Sequence, residues 1–374
     1  MVIQSGKRKF EYTRFRTDVY GAGGAHTPKS TVFTDEIEKD ALRRDFKCNA
    51  VYYDVKAENI VDPLGGVKDI ENGVLDTVRE PEKVFCNDGL RLMRLARFCA
   101  ELGFKPTEKV IDGAKEYADN IKDVAAERVF DELKKILAAD GKYRFSPANG
   151  HCAGVETLIK TGVFGLIFPE LAEINDERLF LKTLFYAEKS ARLAALFCTA
   201  DGESAVAKNG TKKKADLSER GDVKAERTAK DILARLKASK RLTEGTAFLI
   251  RWREFDCDCE ESENRLRKFI VQNADGIQPL ICFKRALCAA ERGESAVCPT
   301  AERWAALVKK IKADGTPFSV KDLKISAADL KEAGFKGKEI GEELQRLFDL
   351  AVISPQKNRY DILKSAADAD FKQL

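Results

Sequence analysis

Apolar residues change their spacing along the chain near residue 84. Ahead of that point KFEYTRFRTDVYG (9–21) alternates apolar and polar positions and stops at glycine, which predicts a strand. NAVYYDV (49–55) and NIVDPLGG (59–66) predict a strand pair around a short polar turn. Asp62-Pro63-Leu64-Gly65-Gly66 and Glu71-Asn72-Gly73 are turn signals. Between the strands, TDEIEKDALRRDF (34–46) has helical spacing, with Thr34 or Asp35 as N-cap.

Beyond residue 84 the apolar positions recur at steps of three and four, which predicts helices nearly to the end. The clearest stretches are PTEKVIDGAKEYADNI (106–121), AAERVFDELKKILAAD (125–140), GVETLIKTGVFGLIFPEL (154–171), LFLKTLFYAEKSARLAALFC (179–198), AERTAKDILARLKA (225–238) and GKEIGEELQRLFDLAV (337–352). No strict-period repeat is visible. Residues 200–226 lack large apolar side chains and read as a flexible, solvated insertion, with a nucleic-acid contact as the alternative. The expected fold class is α+β: a β-rich first part and an all-α remainder.

Length and composition narrow this picture. A chain of 374 residues, 44% hydrophobic and 34% charged, is long enough for two or more domains with a sizeable core. No apolar run approaches the roughly 20 residues that cross a bilayer, and the first residues carry no signal-peptide core. The expected compartment is the cytoplasm, without membrane attachment. The 10 cysteines are scattered, so reduced thiols are expected. Cys257-Asp258-Cys259 is the one close pair, and its spacing is not that of a zinc knuckle. With only His26 and His151 present, histidine-based catalysis and His-rich metal sites are nearly excluded. A net charge of +4 is compatible with a polyanionic partner.

The stretch CNDGLRLMRLARF (86–98) carries the most specific chemistry. Asp88 and Arg91 are three positions apart, so a helix places them on one face. A carboxylate accepts hydrogen bonds and a guanidinium only donates them. Cytosine and adenine both offer an amino donor beside an unprotonated ring nitrogen, and so match the pair. Guanine and uracil meet Arg91 donor to donor. On spacing alone a plain helix start, with Asp88 as N-cap and the arginines in solvent, is the better reading.

Three stretches in order, RRDFKCNAVYYD (43–54), DPLGGVKDIENGVL (62–75) and VFCNDGLRLMRLARFCAELGF (84–104), resemble successive motifs of the bacterial CCA-adding tRNA nucleotidyltransferases and their relatives, the bacterial poly(A) polymerases. AAERVFDELKKIL (125–137) with the stretch 154–171 resembles the helical neck of that family, and KISAADLKEAGFKGKEIGEELQRL (324–347) its tail. The resemblance implies a partial nucleotidyltransferase (palm-like) head at 1–83, a neck at 84–171 that selects nucleotide and binds RNA, a body at 172–310 and a tail at 311–374. It implies addition of C and A to tRNA 3′ ends from CTP and ATP, with magnesium as cofactor. Poly(A) addition is the neighbouring activity, which the sequence does not separate from it.

Residue by residue, the resemblance puts Arg43, Arg44 and Asp45 on the nucleotide's sugar and phosphates, and Asp88 and Arg91, with Arg94 beside them, on the base. It puts Asp62, Gly65 and Gly66 at the joint of head and neck, where a bare structural turn is as good a reading. Glu11 falls where the family has an acid near the metal, and Arg16 falls on a family arginine.

Two departures stand out. The family's Glu-Asp-Pro is Asn87-Asp88-Gly89 here, which implies less stringent selection. The Gly-rich loop and the strand with two metal-binding aspartates are not found ahead of residue 7, so the metal ligands are left unknown. The expectation is therefore an N-terminally truncated head, completed upstream of Met1 or by a separate chain, or else an RNA-binding homologue without catalysis. A partial sheet buries little apolar area, so the first ~80 residues are expected to be the least stable. The segment 18–33 matches a mobile loop of the family, and Cys198-Thr199 replaces a His-Asp metal motif.

Overall fold

A computed structural model describes residues 2–6, 8–19, 29–171, 176–198 and 223–371. The central part of the glycine-rich segment, Thr199 and nearly all of the insertion lie outside the described residues. Residues 223–226, expected in the insertion, already belong to a helix.

The head is β-containing but holds no continuous sheet among the described residues. Strands β1 (Val2–Ser5) and β2 (Arg8–Glu11) pair antiparallel, as do β3 (Arg16–Val19) with β4 (Ser30–Phe33), and β5 (Tyr52–Asp54) with β6 (Asn59–Val61). The last pair and its turn are where the sequence put them. The single strand expected over 9–21 is instead two, broken at Tyr12–Phe15. The break has a cause: Phe15 packs edge-on against Tyr52 at 5.6 Å, and the Arg16 N–H donates to Asp40 Oδ1 at 3.2 Å. Both contacts draw the chain out of the first hairpin.

The helix expected over 34–46 is shorter, α1 (Ile37–Leu42). Thr34 does not cap it; its hydroxyl accepts the Glu36 N–H in a local turn. Residues after Arg43 leave the helix because Phe46 bridges Thr77 and the Val78 N–H donates to Asp45 O. Helix α2 (Gly66–Asn72) ends at Gly73, whose φ of 62° is the left-handed cap that favours glycine. A short parallel pair, β7 (Val74–Leu75) with β8 (Lys105–Pro106), follows.

The remainder is helical, so the α+β class stands. Helices α3 (Pro81–Phe85), α4 (Leu90–Leu102), α5 (Glu108–Glu116), α6 (Ala126–Leu137), α7 (Gly150–Lys160) and α8 (Val163–Ile167) follow the head. The long helix expected over 179–198 is two, α9 (Glu177–Tyr186) and α10 (Arg192–Phe197). Next come α11 (Val223–Arg235), α12 (Lys240–Trp252), α13 (Glu263–Gln272), α14 (Ala274–Arg292), α15 (Pro299–Ala313), α16 (Ala327–Glu332), α17 (Lys338–Ile353) and α18 (Tyr360–Phe371). No helix among the described residues is long and apolar enough to cross a membrane.

The chain divides into two compact units: residues 1–185, 196–206 and 227–244, and residues 186–195, 207–226 and 245–374. In the first unit α4 is the core helix, with Leu92, Met93, Leu95 and Ala96 buried. Small residues let α7 approach it. A Cβ on Gly150 would stand 2.1 Å from Ala100 O, and one on Gly154 2.9 Å from Ala100 Cβ. In the second unit Phe255, Phe269 and Trp304 pack ring against ring. Asp256 holds that core's polar edge, accepting from Trp304 Nε1 at 2.8 Å and from Arg303 at 3.0 and 3.1 Å.

The hairpins leave large apolar side chains in solvent: Val2, Phe10, Val32, Phe33 and Ile60 are each more than half exposed. An isolated two-stranded hairpin is marginally stable. Limited trypsin digestion is therefore expected to cut between Arg14 and Arg44 before any site within α4 to α8. Earlier cutting inside those helices contradicts this.

Candidate nucleotide site

Arg43, Arg44, Asp45, Asp88, Arg91 and Arg94, the side chains expected on the nucleotide, come together where α1 meets the start of α4. Four apolar side chains of α4 face the core, which turns Arg91, Arg94 and Arg97 toward the head and α6.

Asp40 organises the head side. Its Oδ1 accepts Arg43 Nε at 2.7 Å. Its Oδ2 accepts Tyr52 Oη at 2.9 Å and Arg44 Nε and Nη2 at 3.3 and 3.2 Å. Burial would raise this carboxyl, but the hydrogen bonds from Arg43 and Tyr52 outweigh it and hold the carboxyl below its usual value. The same burial and bond push the Tyr52 phenol up to about 12. Arg44 also donates to Asn49 O at 2.9 Å and lies over the Tyr52 ring. Arg43 and Arg44 are thus held as an oriented pair, with 19% and 28% of their side chains open to solvent. Two pre-oriented guanidinium groups suit phosphate oxygens. Asp40 and Tyr52 were missed by sequence reasoning, because Asp40 reads as one more acid on an amphipathic helix.

Asp45 is buried, and Arg94 Nε donates to its Oδ2 at 2.5 Å. Its Oδ1 accepts the Phe46 N–H and Asn49 Nδ2, both at 3.0 Å. Burial acts to raise this carboxyl; the Arg94 charge and hydrogen bond prevail and hold it low. In this structure Asp45 is joined to Arg94.

Arg91 is buried, with Nη2 donating to Arg43 O at 2.6 Å and Nη1 to Val84 O at 3.1 Å. It therefore ties the end of α1 to the end of α3, a role the sequence does not announce. Its Nε lies 4.0 Å from Asp88 Oδ2. The expected acid–guanidinium pair is side by side, with Asp88 Oδ1 accepting the Leu90 N–H at 3.0 Å. Asp88 is mostly buried, and burial raises its carboxyl above the usual range in spite of Arg91. Among the described residues its carboxylate has one hydrogen bond, where a carboxylate has room for about four.

The Asn87-Asp88-Gly89 departure has a structural reason. Asn87 Nδ2 donates to Lys83 O at 2.7 Å, closing the end of α3. A Cβ on Gly89 would fall 2.2 Å from the backbone oxygen of Asn120, so no larger residue fits without a shift. Asn120 in turn donates to Phe85 O at 3.2 Å. Gly89→Ala is expected to cost about 1–3 kcal/mol in urea unfolding; an unchanged midpoint contradicts this close packing.

Asp62 accepts the N–H groups of Gly66 at 2.8 Å and Val67 at 2.9 Å. Burial opposes and these backbone donors prevail, holding its carboxyl low. Gly65 has φ 76°, and a Cβ on Gly66 would stand 2.2 Å from Lys47 O. The three residues build a tight turn with close backbone approach.

Glu11 ends β2, exposed, and no side chain of the Asp40 cluster is bonded to it among the described residues. The donors among the described residues do not fit magnesium. Among the described residues no three His, Cys, Asp or Glu side chains gather to hold a metal ion. Asp18 and Asp40 both face guanidinium groups instead.

The chain matches the Poly A polymerase head domain over residues 1–76, and a probable RNA and SrmB- binding site of polymerase A over residues 103–146. It is 35% identical over 136 residues to a CCA-adding enzyme of Lactobacillus helveticus, covering 36% of this chain and 34% of that protein. To a CCA-adding enzyme of Anoxybacillus flavithermus it is 30% identical over 187 residues, covering 49% and 43%. The matched stretches thus span well under half the length of these relatives. The fold follows that of Bacillus stearothermophilus CCA-adding enzyme in complex with CTP, with a TM-score of 0.67 at 20% identity over 100% of this chain and 81% of that one. Thermotoga maritima CCA-adding enzyme complexed with tRNA_CCA gives 0.53 at 17% identity, over 90% and 74%.

A β-containing head followed by helices is the fold class of the solved CCA-adding enzymes. Over residues 1–76 and 103–146 the chain carries segments of the poly(A) polymerase family models, and it is similar over those parts to CCA-adding tRNA nucleotidyltransferases.

Proposed function

We propose that this protein serves the addition of C and A to tRNA 3′ ends, with the nucleotide chosen by protein side chains. The observation that carries this reading is the Asp88–Arg91 pair: a half-buried carboxylate with one hydrogen bond among the described residues, beside a guanidinium anchored by two carbonyls. An incoming amino group from cytosine or adenine donates to Asp88, and Arg91 donates to the adjacent ring nitrogen. Arg43 and Arg44 face the triphosphate, and the Asp45–Arg94 pair fixes α1 against α4 while both contact the nucleotide. Asp62, Gly65 and Gly66 shape the joint between head (1–83) and neck (84–171). The body (172–310) and tail (311–374) hold tRNA mainly through shape and backbone. Glu11 is the acid assigned to the catalytic side of the head.

A second reading is tRNA binding without transfer by this chain alone, with the metal carboxylates on another chain. It is favoured by Asp18 and Asp40 being engaged by arginines.

Incubating the purified protein with magnesium, all four nucleotides and a tRNA lacking its terminal CCA, then sequencing the RNA ends, tests both. Ends extended by C and A in order support the first reading. Bound but unextended tRNA supports the second. A run of A from ATP alone replaces both with poly(A) addition.

A further inference from the structure

The loop between α6 and α7 carries an exposed pair of aromatic rings that no part of the site above uses. Tyr143 and Phe145 are stacked on each other, with ring centroids 5.4 Å apart and planes 7° from parallel. Tyr143 is 41% exposed and Phe145 66%. Apolar rings of this size normally bury their faces.

The loop is nonetheless held in place. Ser146 Oγ donates to Glu101 O at 2.7 Å and accepts the Tyr143 N–H at 3.0 Å. Lys142 Nζ reaches Glu101 Oε1 at 2.6 Å and lies 5.2 Å from the centre of the Tyr143 ring. Pro147 packs on Gly103 at the end of α4. The rings are therefore fixed outward by bonds to α4, the helix whose first turn follows Asp88.

From this geometry we infer that Tyr143 and Phe145 form a stacking platform for an unpaired base of RNA. Three observations select that occupant. The stack ends in flat, open aromatic area, which a base extends with its own face. Lys142 and Arg144 alternate with the rings and supply positive charge for the flanking phosphates. The segment closes the stretch 103–146 that matches a probable RNA-binding family. The platform lies about 20 Å along α4 from Asp88, at the rise of an α-helix. The inference deepens the proposed function, since it gives the neck a base contact separate from nucleotide selection.

The test uses the full chain and two labelled oligomers of about eight nucleotides, within the usual site size of single-strand binders. One is oligoadenylate; the other has the same ribose-phosphate backbone without bases. Fluorescence anisotropy is expected to show the wild type binding oligoadenylate roughly 5- to 100-fold more tightly. The double variant Tyr143→Ala/Phe145→Ala should bind both oligomers alike. Phe145→Trp, which keeps a ring, should retain the preference.

Equal binding of the two oligomers by the wild type overturns the platform, as does an undiminished preference in the double variant. A double variant that keeps the preference but loses binding to phosphatidylserine vesicles assigns the rings to a membrane surface instead. Titrating the wild type with CTP separates the two claims. CTP binding without a base preference leaves the proposed function standing and the platform refuted. A base preference without CTP binding does the reverse.

Discussion

Asp88→Asn is expected to melt at a higher temperature than the wild type at pH 7 and to weaken its preference for CTP over UTP. The two effects have one origin. Burial raises the Asp88 carboxyl above its value in an unfolded chain, with Arg91 opposing. Ionised Asp88 therefore costs folding free energy at neutral pH, and that cost disappears as the pH falls through the folded-state value. Asparagine keeps the bond to the Leu90 N–H without the charge. The variant's advantage should be full at pH 7 and vanish in acid. Asparagine also turns its amide to present either donor or acceptor. It then meets the uracil oxygen as well as the cytosine amino group, so the Asp88 share of the discrimination, about 1–3 kcal/mol, is lost while Arg91 still opposes the uracil ring N–H. Thermal melts across pH and competitive nucleotide binding read the two effects. A variant that is less stable than the wild type at pH 7, or that rejects UTP as strongly as the wild type does, contradicts this role of Asp88.

The largest loss of stability is expected from Arg94→Ala. Removing Arg94 leaves Asp45 buried with only Asn49 and the Phe46 N–H as donors. Stripping one partner from a buried pair costs about 3–5 kcal/mol. The lower end applies, because 26% of the Arg94 side chain is exposed. The sign with pH is opposite to that of Asp88. Asp45 is held low, so its contribution is present above the unfolded carboxyl value and lost as the pH falls through the folded one. Urea unfolding of the variant should show the deficit at pH 7 and a smaller gap from the wild type in acid. A cost under about 0.5 kcal/mol at pH 7 would show that the pair is no more than a surface contact.

The helices after residue 84 were legible because each buries a stripe, and a stripe needs apolar residues every three or four positions. The Asp88–Arg91 pairing was legible for the same reason, being local to one helical turn. What escaped depends on partners far along the chain. Arg91 donates to a carbonyl 48 residues earlier, and Arg94 pairs with a carboxylate 49 residues earlier. Asp40 draws in Arg16 and Tyr52, from 24 residues before and 12 residues after. That contact breaks the strand expected over 9–21. Asn87, without the family's charge, read as a weakened motif; the reason for Gly89 beside it was hidden, since the backbone of Asn120 lies where a side chain would be. The exposed Tyr143–Phe145 stack was hidden too, since alternate aromatic residues in a loop carry no signal that they will meet.

The central claim is that Asp88 and Arg91 recognise an amino group beside a ring nitrogen. Equilibrium binding of CTP, ATP, UTP and GTP to the purified wild-type protein, at one ionic strength, tests it most directly. The account predicts that CTP and ATP bind and that UTP and GTP bind more weakly by about 1–3 kcal/mol. Equal affinity for all four, or tighter binding of UTP or GTP, would contradict it.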